Sequence, residues 1–163
     1  ALKIKHNFGM AQKNFIQNWI ILGHAFFTKN DYEKSEKYTL QALEILDQEN
    51  SDKEKILLCL NTLAKIFEVQ KRFSECEAAR IEIIMLRSQI SGKIHSDVAA
   101  EHASLGILYK SWGKIEKGIE SMMKAIEINA QALGNNNNVP NSEYLLILAE
   151  MFGELRELEK KVK

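Results

Sequence analysis

Proline is almost absent from this chain: Pro140 is the only one in 163 residues. The residue that most reliably stops helices is therefore missing from everything before it. Cysteine is scarce as well. Cys59 and Cys76 are too few for a disulfide framework, and their spacing fits no zinc pattern. No Asn-x-Ser/Thr glycosylation sequon occurs. Both absences suit a reducing, intracellular and cytoplasmic setting. Neither charge sign is in excess, with 22 basic and 22 acidic residues. Nucleic-acid and anionic-membrane binders carry a basic excess, so neither partner is expected. No apolar run is long enough to cross a bilayer, so membrane insertion is not expected. Residues 1–15 carry Lys3, Lys5, His6 and Lys13 without an apolar core, which is not a signal peptide. There is no glycine-rich phosphate loop, because the eight glycines are scattered.

What the chain does have is self-similarity. Four segments align without gaps: WIILGHAF at 19–26, LNTLAKIF at 60–67, HASLGILY at 102–109 and LLILAEMF at 145–152. Each places Leu fourth (Leu22, Leu63, Leu105, Leu148), then a small residue (Gly23, Ala64, Gly106, Ala149). An aromatic comes three residues later: Phe26, Phe67, Tyr109, Phe152. These positions share one face of a helix. The matched leucines are 41, 42 and 43 residues apart. One such stripe is an ordinary core face; four at nearly constant spacing are a repeat.

A second pattern follows the first three copies. Turns read TKND at 28–31, VQKR at 69–72 and KSWG at 110–113, with Gly113 and Asn30 suited to a left-handed helix end. A second helix then opens on Tyr32, Phe73 and Ile115. Small residues follow at Ser35, Cys76 and Gly118, and Ala42, Ile83 and Ala125 come seven later. The small residues of the two helices are expected to meet. Helices are expected over about 16–29, 31–48, 53–70, 73–90, 96–112, 114–133 and 141–160. Ser51-x-x-Glu54 reads as a capping box. The Asn run at 135–138 with Pro140 reads as a loop.

The pattern resembles the tetratricopeptide repeat (TPR) family. Its signature, W-x2-L-G-x2-Y, is met by Trp19, Leu22, Gly23 and Phe26, with Phe for Tyr, and by Leu105, Gly106 and Tyr109, with His102 for Trp. The second copy diverges at Ile83, where Ala is usual, and the terminal proline of the consensus is missing. The family period is about 34, so the longer spacing here looks like the long-repeat subclass of kinesin light chains. The implied fold is all-α, a right-handed helix-pair solenoid. The implied organisation is a repeat tail at 1–15, repeats at 16–56, 57–98 and 99–141, and a last helix at 142–163 that is a partial repeat or a cap. ALKIK at 1–5 matches ALEIL at 42–46 one period on, so the chain is expected to begin inside a repeat.

Candidate chemistry is sparse. His95-Ser96-Asp97 holds the residue types of a hydrolase triad, but neighbours in sequence do not converge on one atom, and no nucleophile elbow surrounds them. A helix cap by Ser96 or Asp97 is the preferred reading. His95 and His102 lie seven apart, which is not metal-ligand spacing, and His102 reads as packed in the Trp position. Cys76 reads as a buried inert thiol. No catalytic residue, cofactor or metal is expected.

The resemblance implies instead a concave surface lined by first helices. Its positions carry over to Gln17, Ile20, His24 and Phe27, then Leu58, Asn61, Lys65 and Glu68, then Ala100, Ala103, Ile107 and Lys110, and finally Glu143, Leu146 and Glu150. The Lys/Asn/Arg clamp that some relatives use for C-terminal carboxylates is absent: Ile20, His24, Thr62, Ala100 and Ser104 stand in its place. The strip is rather apolar and implies an extended or helical apolar segment as ligand, with Asn61 available to a peptide backbone. The function implied is a protein-interaction scaffold or adaptor in a larger assembly, with cytoskeletal, motor or ciliary settings in view. The alternatives are a purely architectural subunit and the regulatory part of a longer enzyme.

Overall fold

The computed structural model describes residues 15–49, 52–133 and 141–162. Seven helices and no strand occur among the described residues: α1 (Ile16–Thr28), α2 (Tyr32–Glu49), α3 (Lys53–Val69), α4 (Phe73–Ser91), α5 (Ser96–Ser111), α6 (Ile115–Leu133) and α7 (Asn141–Val162). Each end lies within two residues of its expected position. Residues 1–14 of the expected repeat tail, Ser51 and the Asn run at 135–138 lie outside the described residues. The chain divides into two compact units, Ala1–Ala79 and Arg80–Lys163, with the division inside α4.

Three turns share one geometry. The residue at the left-handed position is Asn30 (φ 59°), Lys71 (φ 57°) or Gly113 (φ 77°). Its N–H donates to the carbonyl three residues back: Phe27, Glu68 or Lys110. The next N–H, from Asp31, Arg72 or Lys114, donates five residues back to Phe26, Phe67 or Tyr109. This pair of bonds is the Schellman stop. The repeated aromatic is thus the residue whose carbonyl closes the turn. Its ring is covered from the following segment by a cation: Lys34 over Phe26 at 5.3 Å, Arg72 over Phe67 at 4.4 Å, Lys117 over Tyr109 at 5.6 Å. Asn30 and Gly113 occupy the expected positions. Lys71 does so against its own preference.

In the first unit, α1 packs on α2, and α3 contacts both. The small residues meet as expected. Ser35 Oγ donates to Gly23 O at 2.7 Å, and Cys76 Sγ to Ala64 O at 3.3 Å. A Cβ on Gly23 would collide with Thr39 Oγ1, so a larger residue there would force Thr39 out of its place. Ala42, Leu46, Leu57, Leu60, Ile66 and Phe67 are buried around these crossings. Arg72 joins the elements from outside, bonding Glu36 Oε2 at 2.7 Å and Glu75 Oε1 at 2.9 Å.

In the second unit, α5 packs along α6 and α6 against α7. Gly106 and Gly118 face each other with nothing between them: a Cβ on Gly106 would sit 3.0 Å from Gly118 O. Met122, Ala125, Ile115, Ile119, Ala103 and Met151 form the core. Val98, Ala99 and Ile128 form a second cluster that Ile84 covers.

Two helix starts differ from expectation. The α3 cap is Asp52, whose Oδ1 accepts from Lys55 N at 3.2 Å. The α5 cap is His95 rather than Ser96 or Asp97: Asp97 N–H donates to His95 Nδ1 at 3.2 Å. A neutral imidazole nitrogen does there what a hydroxyl or carboxylate does elsewhere. Asp97 falls in the first turn, where a carboxylate suits the helix dipole.

Candidate functional site

In the first unit, Gln17 and His24 on α1 and Leu58, Lys65 and Glu68 on α3 are exposed. Phe27 is half-buried, tilted against Tyr32 at 5.8 Å between centroids. Asn61 is also half-buried and already donates through Nδ2 to Leu57 O at 2.8 Å, so less of its amide is left for a peptide. Ile20 is buried and presents little surface.

In the second unit, Ala103 belongs to the core, and Ala100 and Glu143 are exposed. Ile107 and Leu146 keep 39% and 63% of their surface. Lys110 links α5 to α7, reaching Glu150 at 2.8 Å and Glu154 at 3.2 Å. The Glu150 bond raises the Lys110 pKa above its ordinary value. Ile107 lies one turn before Lys110 and Leu146 one turn before Glu150, so both apolar side chains stand on the face where α5 and α7 are clamped.

Among the described residues no group of three or more His, Cys, Asp or Glu side chains stands ready to hold a metal, and no helix is long and apolar enough to cross a membrane. Both cysteines are buried, and burial pushes the Cys59 thiol up to about 11. His102 is half-buried, and desolvation, then the Lys124 ammonium, hold it below its ordinary value.

Two features escaped the sequence reading. Glu101 on α5 is buried between two arginines of α4: its Oε1 accepts from Arg87 Nε at 3.0 Å, and its Oε2 lies 3.6 Å from Arg80 Nη1. The available signal was a Glu in the position that Cys59 fills one repeat earlier, inside an apolar stripe. The second is a cavity of about 470 Å³ between α4, α5 and α6. It has no local sequence signal, because three separate segments build it.

The tetratricopeptide repeat model matches residues 16–45 and 102–131. Those two segments match tetratricopeptide repeats. No curated protein matches the chain in sequence. Among solved structures, it is similar to BtubC (BKLC) from P. vanneervenii, with a TM-score of 0.75 at 20% identity, over 91% of this chain and 59% of that one. It is also similar to the kinesin light chain TPR-like repeats of Podosopora anserina, at 0.64 and 14% identity, over 87% of this chain and 69% of that one. A second structure of those repeats gives 0.65 at 14%, over 87% and 68%. At such identities the likeness is one of fold: all-α, TPR-like helical repeats. The chain spans less than two thirds of BtubC's length. Repeats of this family generally mediate protein–protein interaction and are typically not catalytic.

Proposed function

We propose that this chain is a non-catalytic interaction module whose first helices hold an apolar segment of a protein partner. The observation that carries this is the α5–α7 face. Ile107 and Leu146 stand exposed beside the Lys110–Glu150–Glu154 clamp, so apolar side chains project from a fixed backbone. Preorganised apolar contacts rimmed by paired charge suit a peptide or helix better than a charged tail. Leu58 and His24 extend the set on the first unit's helices. The fold likeness to BtubC and to a kinesin light chain's repeats supports a cytoplasmic, cytoskeletal or motor-adaptor setting.

The test is co-purification from the source cell with tagged parent and the Ile107→Glu, Leu146→Glu double variant, both confirmed folded by circular dichroism. Selective loss of one protein is expected. Retention of every partner would overturn the assignment to this face.

A second reading, a permanently packed architectural subunit, is favoured by α7. Leu145, Phe152 and Leu158 are exposed there along with Leu146, unlike the polar outer face that a capping helix presents. That reading expects the isolated chain to self-associate, and sedimentation that stays monomeric at high concentration would exclude it.

A further inference from the structure

We infer that the cavity between α4, α5 and α6 is a second docking site, on the second-helix side of the repeats, for a short peptide bearing large apolar side chains next to a carboxylate. This goes beyond the proposed function and does not depend on it, since α5 meets that face through Ile107 and this cavity through Val98 and His102.

The floor is apolar and built. Val98 and Ile128 are buried in it and Ile84 packs on them. Ser88 in the wall spends its hydroxyl on Ile84 O at 2.7 Å, so that hydroxyl is not offered to the cavity. The rim is apolar too. Met85 and Ile94 hold 58% and 57% of their surface in solvent although they line the same space. Exposed Met and Ile around a concave apolar floor are what anchoring side chains bury. The volume of about 470 Å³ is within the range of ligand pockets and admits more than one large side chain.

Charge narrows the partner. Glu127 at the mouth is occupied on both oxygens, by Lys124 at 3.1 Å and by Gln131 at 3.3 Å. Lys93, exposed and also lining the cavity, has no ion pair among the described residues. The rim therefore carries one uncompensated ammonium beside an apolar opening, which selects an anion next to an apolar anchor. A carboxylate placed there gains a charge-assisted hydrogen bond.

The probe is a phage-displayed library of random peptides selected on the full chain, followed by titration of synthetic copies of the enriched peptides. Isoleucine and methionine methyl signals are followed by NMR. The expected peptides combine neighbouring large apolar residues with Asp or Glu. They shift the methyls of Ile84, Met85, Ile94 and Ile128. Lys93→Glu weakens them about tenfold or more, Lys93→Arg restores them, and neither variant changes the melting curve. Ile94→Asp abolishes binding through the apolar rim independently. Failure to enrich any peptide, enrichment of peptides indifferent to Lys93→Glu, or shifts confined to Ile107 would overturn the inference. So would a chain that binds decanoate in the cavity but no peptide.

Discussion

Glu101→Gln is the most informative single change for stability. It preserves size and removes one charge from a buried Arg–Glu–Arg arrangement. The Glu101 side chain is 10% exposed, Arg80 12% and Arg87 27%. Stripping one partner from a buried ion pair costs about 3–5 kcal/mol, because the other charge stays desolvated. Arg87 is partly in solvent and also lies 3.5 Å from Asp97 Oδ2, which retains part of its compensation. The expected loss is therefore about 2–3 kcal/mol. The control is Lys160→Ala. Its bridge to Glu157 is shorter, at 2.7 Å, but both side chains are exposed, so less than about 0.5 kcal/mol should change. Each unit holds one tryptophan, Trp19 or Trp112. In a Trp19→Phe background, urea unfolding followed by Trp112 fluorescence reads the second unit. The loss should persist in high salt, since a buried pair is poorly screened. A third variant, with Arg80→Met, Arg87→Leu and Glu101→Leu together, should recover most of the loss. A Glu101→Gln midpoint equal to the parent's, or a loss that salt erases, would refute the argument that burial controls this network.

Lys71 holds a left-handed backbone where the matching positions carry Asn30 and Gly113. Lys71→Gly should stabilise the first unit by up to about 1 kcal/mol, read as a higher urea midpoint of Trp19 fluorescence. Cys59, with its thiol pushed up to about 11, and Cys76, hydrogen-bonded to Ala64 O, should resist a thiol reagent in the native chain. Both should react at the rate of local opening, followed by mass spectrometry. Because the His102 pKa is lowered in the folded chain, the unfolded chain takes up the proton first. The neutral ring's contribution is complete above the ordinary value of 6.5 and is lost as pH falls below it. Thermal melts between pH 7.5 and 5.5 should show that loss, and His102→Gln should reduce it.

The helices and their crossings were legible because close approach restricts residue volume. Gly23 opposite Ser35, Ala64 opposite Cys76 and Gly106 opposite Gly118 leave no space for larger side chains, and that restriction recurs along the sequence. Gly113 and Asn30 announced their turns through backbone preference alone. Lys71 did not, since its turn is imposed by the helices on either side. The caps at Asp52 and His95 lay one or two residues from the expected positions, because several neighbouring residues had the chemistry to cap. Of the candidate face, the exposed residues Leu58, Ile107 and Leu146 were readable from the repeat register. Ile20 and Ala103 share that register but are buried, which depends on how near each neighbouring helix comes. Glu101's arginines and the cavity depend on residues far apart in sequence, so no local pattern revealed them.

The crossings also differ in mechanical character. At α1–α2 a hydroxyl of one helix is bonded to the backbone of the other, and at α3–α4 a weaker thiol does the same. These act as pegs against sliding. At α5–α6 two bare glycine backbones, Gly106 and Gly118, face each other closely. Met122 and its neighbours pack around that approach, and Lys117 lies over the Tyr109 ring across the same pair. The two units thus hold their helix pairs in register by different means, a side-chain hydrogen bond in the first and close backbone approach in the second. The second unit also carries the clamped α5–α7 face and the wall of the cavity, and α6 packs on both α5 and α7, so a slip of α6 along α5 would disturb the cavity and the Lys110 clamp together.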